Sequence, residues 1–309
     1  MKLSWLPALV LVCIVVSIPA TTPAFCARKI IISTDIGDDI DDAFALVFAL
    51  NSPELKVDAV IASYGHPPRK ARLIQKLLHI AGRDDIPVLV GKYVENQDSG
   101  QLRWAADWKP RNLVGDGPRA LARRIMRSKE KTTLVPYGPL TDIAEMLRVA
   151  PEVKGYIDEI ILMGGSAYRG WNVNDPPCPE YNIMADAKAA QTVFQSGLPI
   201  VMVGLDVTTM MKLGDSEMER IRNSPNPLPK ALYTLYKAWG RPVPTMYDPV
   251  ALAVAFQRDL VKMEHDCVEV ADHGLTRIVP GAPAGANAWV CVDVDKQRFM
   301  DLFMERILK

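Results

Sequence analysis

The sequence carries no surplus of charge: 36 Lys and Arg balance 36 Asp and Glu among its 309 residues. With no net field and no local cluster of Lys and Arg, it lacks what draws a protein to nucleic acid polymers. It also lacks internal repeats, low-complexity tracts and a recognisable linker, so nothing divides it into smaller domains. Cysteine is scarce: of five, only Cys178, Cys267 and Cys291 lie beyond residue 26. A chain this long builds its core without disulfides or structural metals, so a metal bound here would serve chemistry. If one bridge forms in an oxidising compartment, Cys267 and Cys291 are the expected pair, because both fall in apparent strands of one C-terminal segment. Free buried thiols are the competing reading.

Long hydrophobic runs are missing too. Beyond Ala27 no apolar stretch approaches the roughly 20 residues needed to span a bilayer. The one candidate lies at the start, where Lys2 precedes an apolar run from Leu6 to Ile18, followed by Pro19 and small residues from Thr21 to Ala27. That run is too short to span and has the layout of a signal peptide, with small residues suited to cleavage after Ala24 or Cys26. Residues 1–26 are therefore expected as a leader and residues 27–309 as a single secreted or periplasmic domain with no stable membrane insertion.

What is present is an alternation of short apolar runs with longer amphipathic ones. Lys29–Ser33, Val57–Ser63, Pro87–Val90, Thr133–Tyr137, Glu159–Met163 and Ile200–Val203 have the pattern of buried strands. Between them, Asp41–Leu50, Arg69–Ala81, Pro118–Arg127, Leu140–Val149 and Asp186–Ser196 have the pattern of helices. Continuous apolar strands alternating with helices predict an α/β fold, an open and mostly parallel Rossmann-like sheet flanked by helices. The stretch from Leu213 to Gln257 predicts a helical insertion broken by prolines; short strands and a last helix, Lys296–Leu308, follow it. In such sheets ligands gather beyond the carboxyl ends of the strands.

One such strand end holds five aspartates in eight residues, Asp35, Asp38, Asp39, Asp41 and Asp42. Helix capping explains one or two of them, at roughly 0.3–1 kcal/mol each. Five repel one another, and a bound cation is the simplest relief; clustered carboxylate oxygens select Ca²⁺ or Mg²⁺. The spacing does not match an EF-hand, and the segment runs directly into a helix.

The segment Thr34-Asp35-Ile36-Gly37 followed by Asp39-Ile40-Asp41-Asp42-Ala43 resembles the aspartate fingerprint of the inosine-uridine-preferring nucleoside hydrolases. Four further segments resemble that family in the expected order: Leu134–Ile143, Ile161–Gly165, Glu180-Tyr181-Asn182 with Ala185-Asp186, and Met246–Leu252. The resemblance implies the nucleoside hydrolase fold and hydrolysis of the N-glycosidic bond of ribonucleosides. It further implies one Ca²⁺ held by Asp35, Asp42, Asp248 and the backbone carbonyl of Tyr137. Asp35 is then the general base for a water that the cation holds. Asp41, Asn172 or Asn174, Glu180 and Asn182 are implied as ribose contacts. Trp171 or Tyr168 would stack on the base, and His66 stands where relatives commonly have asparagine. Tyr247 replaces a histidine found in many purine-accepting relatives, and its phenol is a weaker acid. Homodimers or homotetramers are common in the family. Two other readings stay open: hydrolysis of an N-riboside with a different leaving group, and a ribose- or nucleoside-binding protein without turnover.

Overall fold

A computed structural model describes residues 27–95, 99–172, 174–282 and 285–309, so the expected leader lies outside the described residues. The first half runs β1 (Arg28–Thr34), α1 (Asp41–Leu50), β2 (Leu55–Ala62), α2 (Pro67–Ile80), β3 (Val88–Val90), α3 (Gln101–Trp104), α4 (Gly117–Met126), β4 (Thr132–Pro136), α5 (Thr141–Val149) and β5 (Ile157–Met163). It continues through α6 (Tyr181–Ala185), α7 (Ala187–Phe194), β6 (Ile200–Val203), α8 (Leu205–Thr208), α9 (Asp215–Asn223), α10 (Pro227–Trp239) and α11 (Tyr247–Val254). The last part is β7 (Val261–Asp266), β8 (Val268–Val270), β9 (Thr276–Ile278), β10 (Ala288–Val294) and α12 (Lys296–Ile307).

Eight strands form one sheet in the order β3-β2-β1-β4-β5-β6-β10-β7, and β8 and β9 form a separate antiparallel ribbon. Strand pairing is parallel except between β10 and β7 at one edge. The expected open, mostly parallel sheet is therefore the observed one. Strand β1 explains the need for two helical layers: Ile30 and Ile32 enter one core cluster and Ile31 the other, so both faces are apolar and both must be covered. Chain order reverses beside β1, with β2 on one side and β4 on the other, which opens a crevice at their carboxyl ends.

The expected Cys267–Cys291 bridge is not formed; all three cysteines among the described residues are free. The antiparallel register gives the reason. Asp266 lies opposite Ala288, which puts Cys267 level with residue 287. Cys291 then stands about 13 Å away along the strand, beyond the roughly 7 Å that a disulfide tolerates between Cα atoms.

Two polar side chains tie helices to strand ends. On α2, Lys70 occupies a position on the apolar stripe with Leu73, Ile74 and Leu77 and is 1% exposed. Its ammonium donates to the backbone carbonyl of Asp35 at 2.6 Å and pairs with Asp38 Oδ2 at 2.8 Å, clamping the loop after β1. On α5, the buried Asp142 accepts from the backbone N–H of Lys92 at 2.8 Å through Oδ1. Its Oδ2 has no hydrogen-bond partner and packs against Gly91, where a Cβ would come within 2.1 Å of it.

Replacing Lys70 with Met removes the ammonium that pairs with Asp38 and holds the Asp35 carbonyl. Urea unfolding should show a loss of about 3 kcal/mol. A loss no larger than that of a surface ion pair would mean that water takes the place of the ammonium. Asp142 generates a pH prediction. Burial pushes its carboxyl up to about 7, whereas in the unfolded chain it ionises near the ordinary value of about 3.9. Between those values the unfolded chain releases a proton that the fold keeps, so this group lowers stability as pH rises. Asp142→Asn should therefore gain in Tm over the parent as pH is raised from 4 to 8, with the smallest difference at pH 4. A difference independent of pH would exclude a neutral Asp142.

Candidate active site

Helix α1 is apolar on every side: Asp41 through Ala49 are all buried. Helix α11 repeats the pattern, with every residue from Asp248 to Val254 buried. A helix buried on all sides takes its first turn into the interior with it, and in both helices that turn carries aspartate. The two N-termini meet, and the backbone N–H of Asp248 donates to Asp41 Oδ2 at 3.1 Å. Asp41, Asp42 and Asp248 each offer a carboxylate oxygen, and these oxygens lie within 4.8 Å of one another. Burial, and then the charges of their carboxylate neighbours, push all three carboxyls well above the usual range. The Thr34 hydroxyl donates to Asp42 Oδ1 at 2.5 Å and orients it.

Asp35 caps this group from the end of β1. It is 5% exposed, and burial raises its carboxyl to about 7, against the opposing pull of the Lys70 ammonium. The turn after β4 closes over it: a Cβ on Gly138 would stand 2.6 Å from Asp35 Oδ1. Only glycine permits that approach, which explains Tyr137-Gly138-Pro139. The Tyr137 side chain is fully buried, and its phenol is pushed far up by burial and by Asp42, Asp248 and Asp41. Tyr137 thus sets its ring among the carboxylates.

The third side comes from β5 and α6. Glu180 caps α6, accepting from Asn182 N at 2.9 Å, Ile183 N at 3.2 Å and Gly165 N at 3.0 Å; burial raises its carboxyl to about 7. Asn182 is buried beside it and donates to the Met163 carbonyl at 3.2 Å. The phenol of Tyr247, at the start of α11, is raised by burial and by Asp41, Asp39 and Glu180. Trp171 meets the Tyr247 ring edge-on at 6.2 Å. His66, the cap position of α2, has a buried Nδ1 without a partner and faces Tyr93 edge-on at 5.6 Å.

Some expected contacts lie elsewhere. Asn172 and Asn174 are exposed, and the Asn172 amide is engaged by Asp175 Oδ2 at 2.7 Å, closing a turn within the loop. The Tyr168 hydroxyl lies 3.2 Å from both Glu264 and Asp266, so this ring is tied to β7 and not to the enclosure. Two residues that organise the site escaped the sequence reading. One is Lys70, whose signal was a charge on the apolar stripe of an amphipathic helix. The other is Asp206, whose buried carboxylate accepts from the N–H groups of Ala167, Tyr168 and Arg169 at 2.6–2.9 Å and fixes the base of the loop that carries Trp171. Its signal was an acid just beyond an apolar strand.

The sequence model described as inosine-uridine preferring nucleoside hydrolase matches residues 30–301. A pyrimidine-specific ribonucleoside hydrolase RihA from Photobacterium profundum is 33% identical, with 91% of this chain and 99% of that one covered. Among solved structures, the plant nucleoside hydrolase PpNRh1 superposes with a TM-score of 0.80 at 28% identity, covering 92% of this chain and 99% of that one. A purine-preferring ribonucleoside hydrolase from Gardnerella vaginalis gives 0.77 at 27% identity, over 91% of this chain and 98% of that one. The chain belongs to the inosine-uridine preferring nucleoside hydrolase family and is a nucleosidase, a hydrolase of N-glycosyl bonds.

Proposed function

We propose that this nucleosidase cleaves ribonucleosides to free base and ribose with the help of one Ca²⁺, and that Asp35 is its general base. The observation that carries the reading is the buried triad of Asp41, Asp42 and Asp248, with ligand oxygens within 4.8 Å and mutual repulsion that a cation relieves. The donor set fits a hard ion: it consists of carboxylates, with no His or Cys in the group. Asp42 and Asp248 would hold the ion together with Asp35 and the Tyr137 carbonyl, and Asp41 faces both the ion and the sugar. When bound, such an ion makes water more acidic and gathers sugar hydroxyls, since Ca²⁺ takes roughly 6–8 oxygens.

The chain's own groups account for the rest. Asp35 accepts the proton of the attacking water while the bond from the anomeric carbon to the base nitrogen breaks. The sugar then resembles an oxocarbenium ion. Asp41 and Glu180 surround it with negative charge held in place by backbone N–H bonds, so no reorganisation is required as positive charge develops. Asn182 orients a ribose hydroxyl from the same wall. The base leaves on the side of Tyr247 and Trp171. Tyr247 stays protonated and can donate a hydrogen bond, but it is a poor acid, which favours bases that depart as stable anions. The apolar leader from Leu6 to Ile18 supports export and action on scavenged nucleosides.

Reducing-sugar release from a panel of ribonucleosides and deoxyribonucleosides tests the reaction. Activity should disappear with EDTA, return with Ca²⁺ and favour the ribosides. Metal-independent release, or none from any member of the panel, rejects the reading. Asp35→Asn should lower kcat by about 10²–10⁴-fold, and near-normal kcat removes it as base. Asp248→Ala should lose calcium together with activity; unchanged metal content takes Asp248 out of the ligand set.

A further inference from the structure

Three residues other than glycine have positive φ among the described residues: Tyr64 at 55°, Asn112 at 51° and Asp116 at 50°. Asn and Asp tolerate this region, and both lie on exposed loops. Tyrosine does not belong to that class, and Tyr64 lies in the crevice. Thr34 at the end of β1 is level with Ala62 at the end of β2. Two residues further along each strand, Tyr64 stands beside the Asp35–Ile36 turn. The strained conformation is imposed from both sides. Ser63 N–H bonds the Thr34 carbonyl at 2.8 Å, Val94 N–H bonds the Gly65 carbonyl at 3.0 Å, and the His66 carbonyl accepts from Arg69 and Lys70. The strain serves no hydrogen bond of the side chain, because the Tyr64 hydroxyl has none among the described residues. Its half-buried phenol is raised by burial and then by the charges of Asp35, Asp38 and Asp186. Residues other than glycine held in this backbone region cluster at active sites and ligand clamps.

We propose that Tyr64 is a substrate-binding residue, forming the β2 side of the pocket and donating its hydroxyl to an oxygen of the bound nucleoside. This rests on the ribonucleoside hydrolase reading above. The backbone holds Tyr64 beside the Asp35–Ile36 turn, and His66, set edge-on against Tyr93, follows it on the same loop.

The calcium-loaded protein tests this with uridine and inosine as probes. Tyr64→Phe should raise KM about tenfold, the value of one hydrogen bond in a sheltered site, with Tm and calcium affinity unchanged. Tyr64→Ala and Tyr64→Gly should both lose more, and the Gly variant should melt about 2–4 °C above the Ala variant because it alone releases the strain. A residue of merely structural value would lower Tm in the Phe variant or leave KM untouched. An active parent whose Phe variant keeps the parental KM overturns the proposal alone. Equal melting of the Gly and Ala variants overturns the strain argument on which it stands. A parent that hydrolyses neither probe overturns the functional reading and this inference with it.

Discussion

Three carboxylates buried at the meeting point of two helix N-termini are the constraint on which the rest of the molecule depends. Helices α1 and α11 are apolar all round and are therefore drawn wholly inside, and Asp41, Asp42 and Asp248 go with them. The positive ends of the helix dipoles and the bond from Asp248 N–H to Asp41 offset part of the cost. They do not offset all of it, as the upward displacement of all three carboxyls shows. A fold that concentrates negative charge in this way suits a bound cation.

The sheet supplies the place and the neighbouring loops supply the walls. Because chain order reverses beside β1, the loops after β2, β1, β4 and β5 all open onto one crevice. The first carries Tyr64 and His66, the second the aspartates and the third Tyr137 with Gly138, while Glu180 and Asn182 lie beyond the last. Close approach is secured by absence of a side chain at Gly138 and by Lys70, an internal cation that holds the Asp35 backbone from behind. The same economy applies to the covering loop, whose base is fixed by Asp206 while Trp171 reaches Tyr247.

Much of this was legible in the residues. Apolar runs such as Lys29–Ser33 and Ile200–Val203 announced buried parallel strands, and the observed β1 and β6 fall on them. Five aspartates after the first strand announced a charged site, because capping accounts for only one or two. Less legible were residues whose role depends on what lies opposite. Lys70 reads as one more charge on a helix until α2 is laid against the loop after β1. Asn172 reads as a sugar contact or as a turn residue, and its amide closes a turn on Asp175. Tyr168 and Trp171 are three residues apart in one loop, yet only Trp171 reaches the enclosure.

The sequence by itself determined the alternation of strands and helices, the parallel sheet that follows from it, and the concentration of carboxylates at one strand end. These are properties of periodicity and local charge, and they need no partner to be read. The resemblance implied Asp248 beside Asp42, and the tertiary structure supplied the means, bringing the N-terminus of α11 against that of α1 from more than 200 positions away along the chain. Only the tertiary structure decided that Cys267 and Cys291 stay apart and that Tyr64 is held in a conformation its own side chain disfavours. The physical reason is common to all three: strand register and helix packing fix which groups face one another, and neither is expressed in any one stretch of sequence.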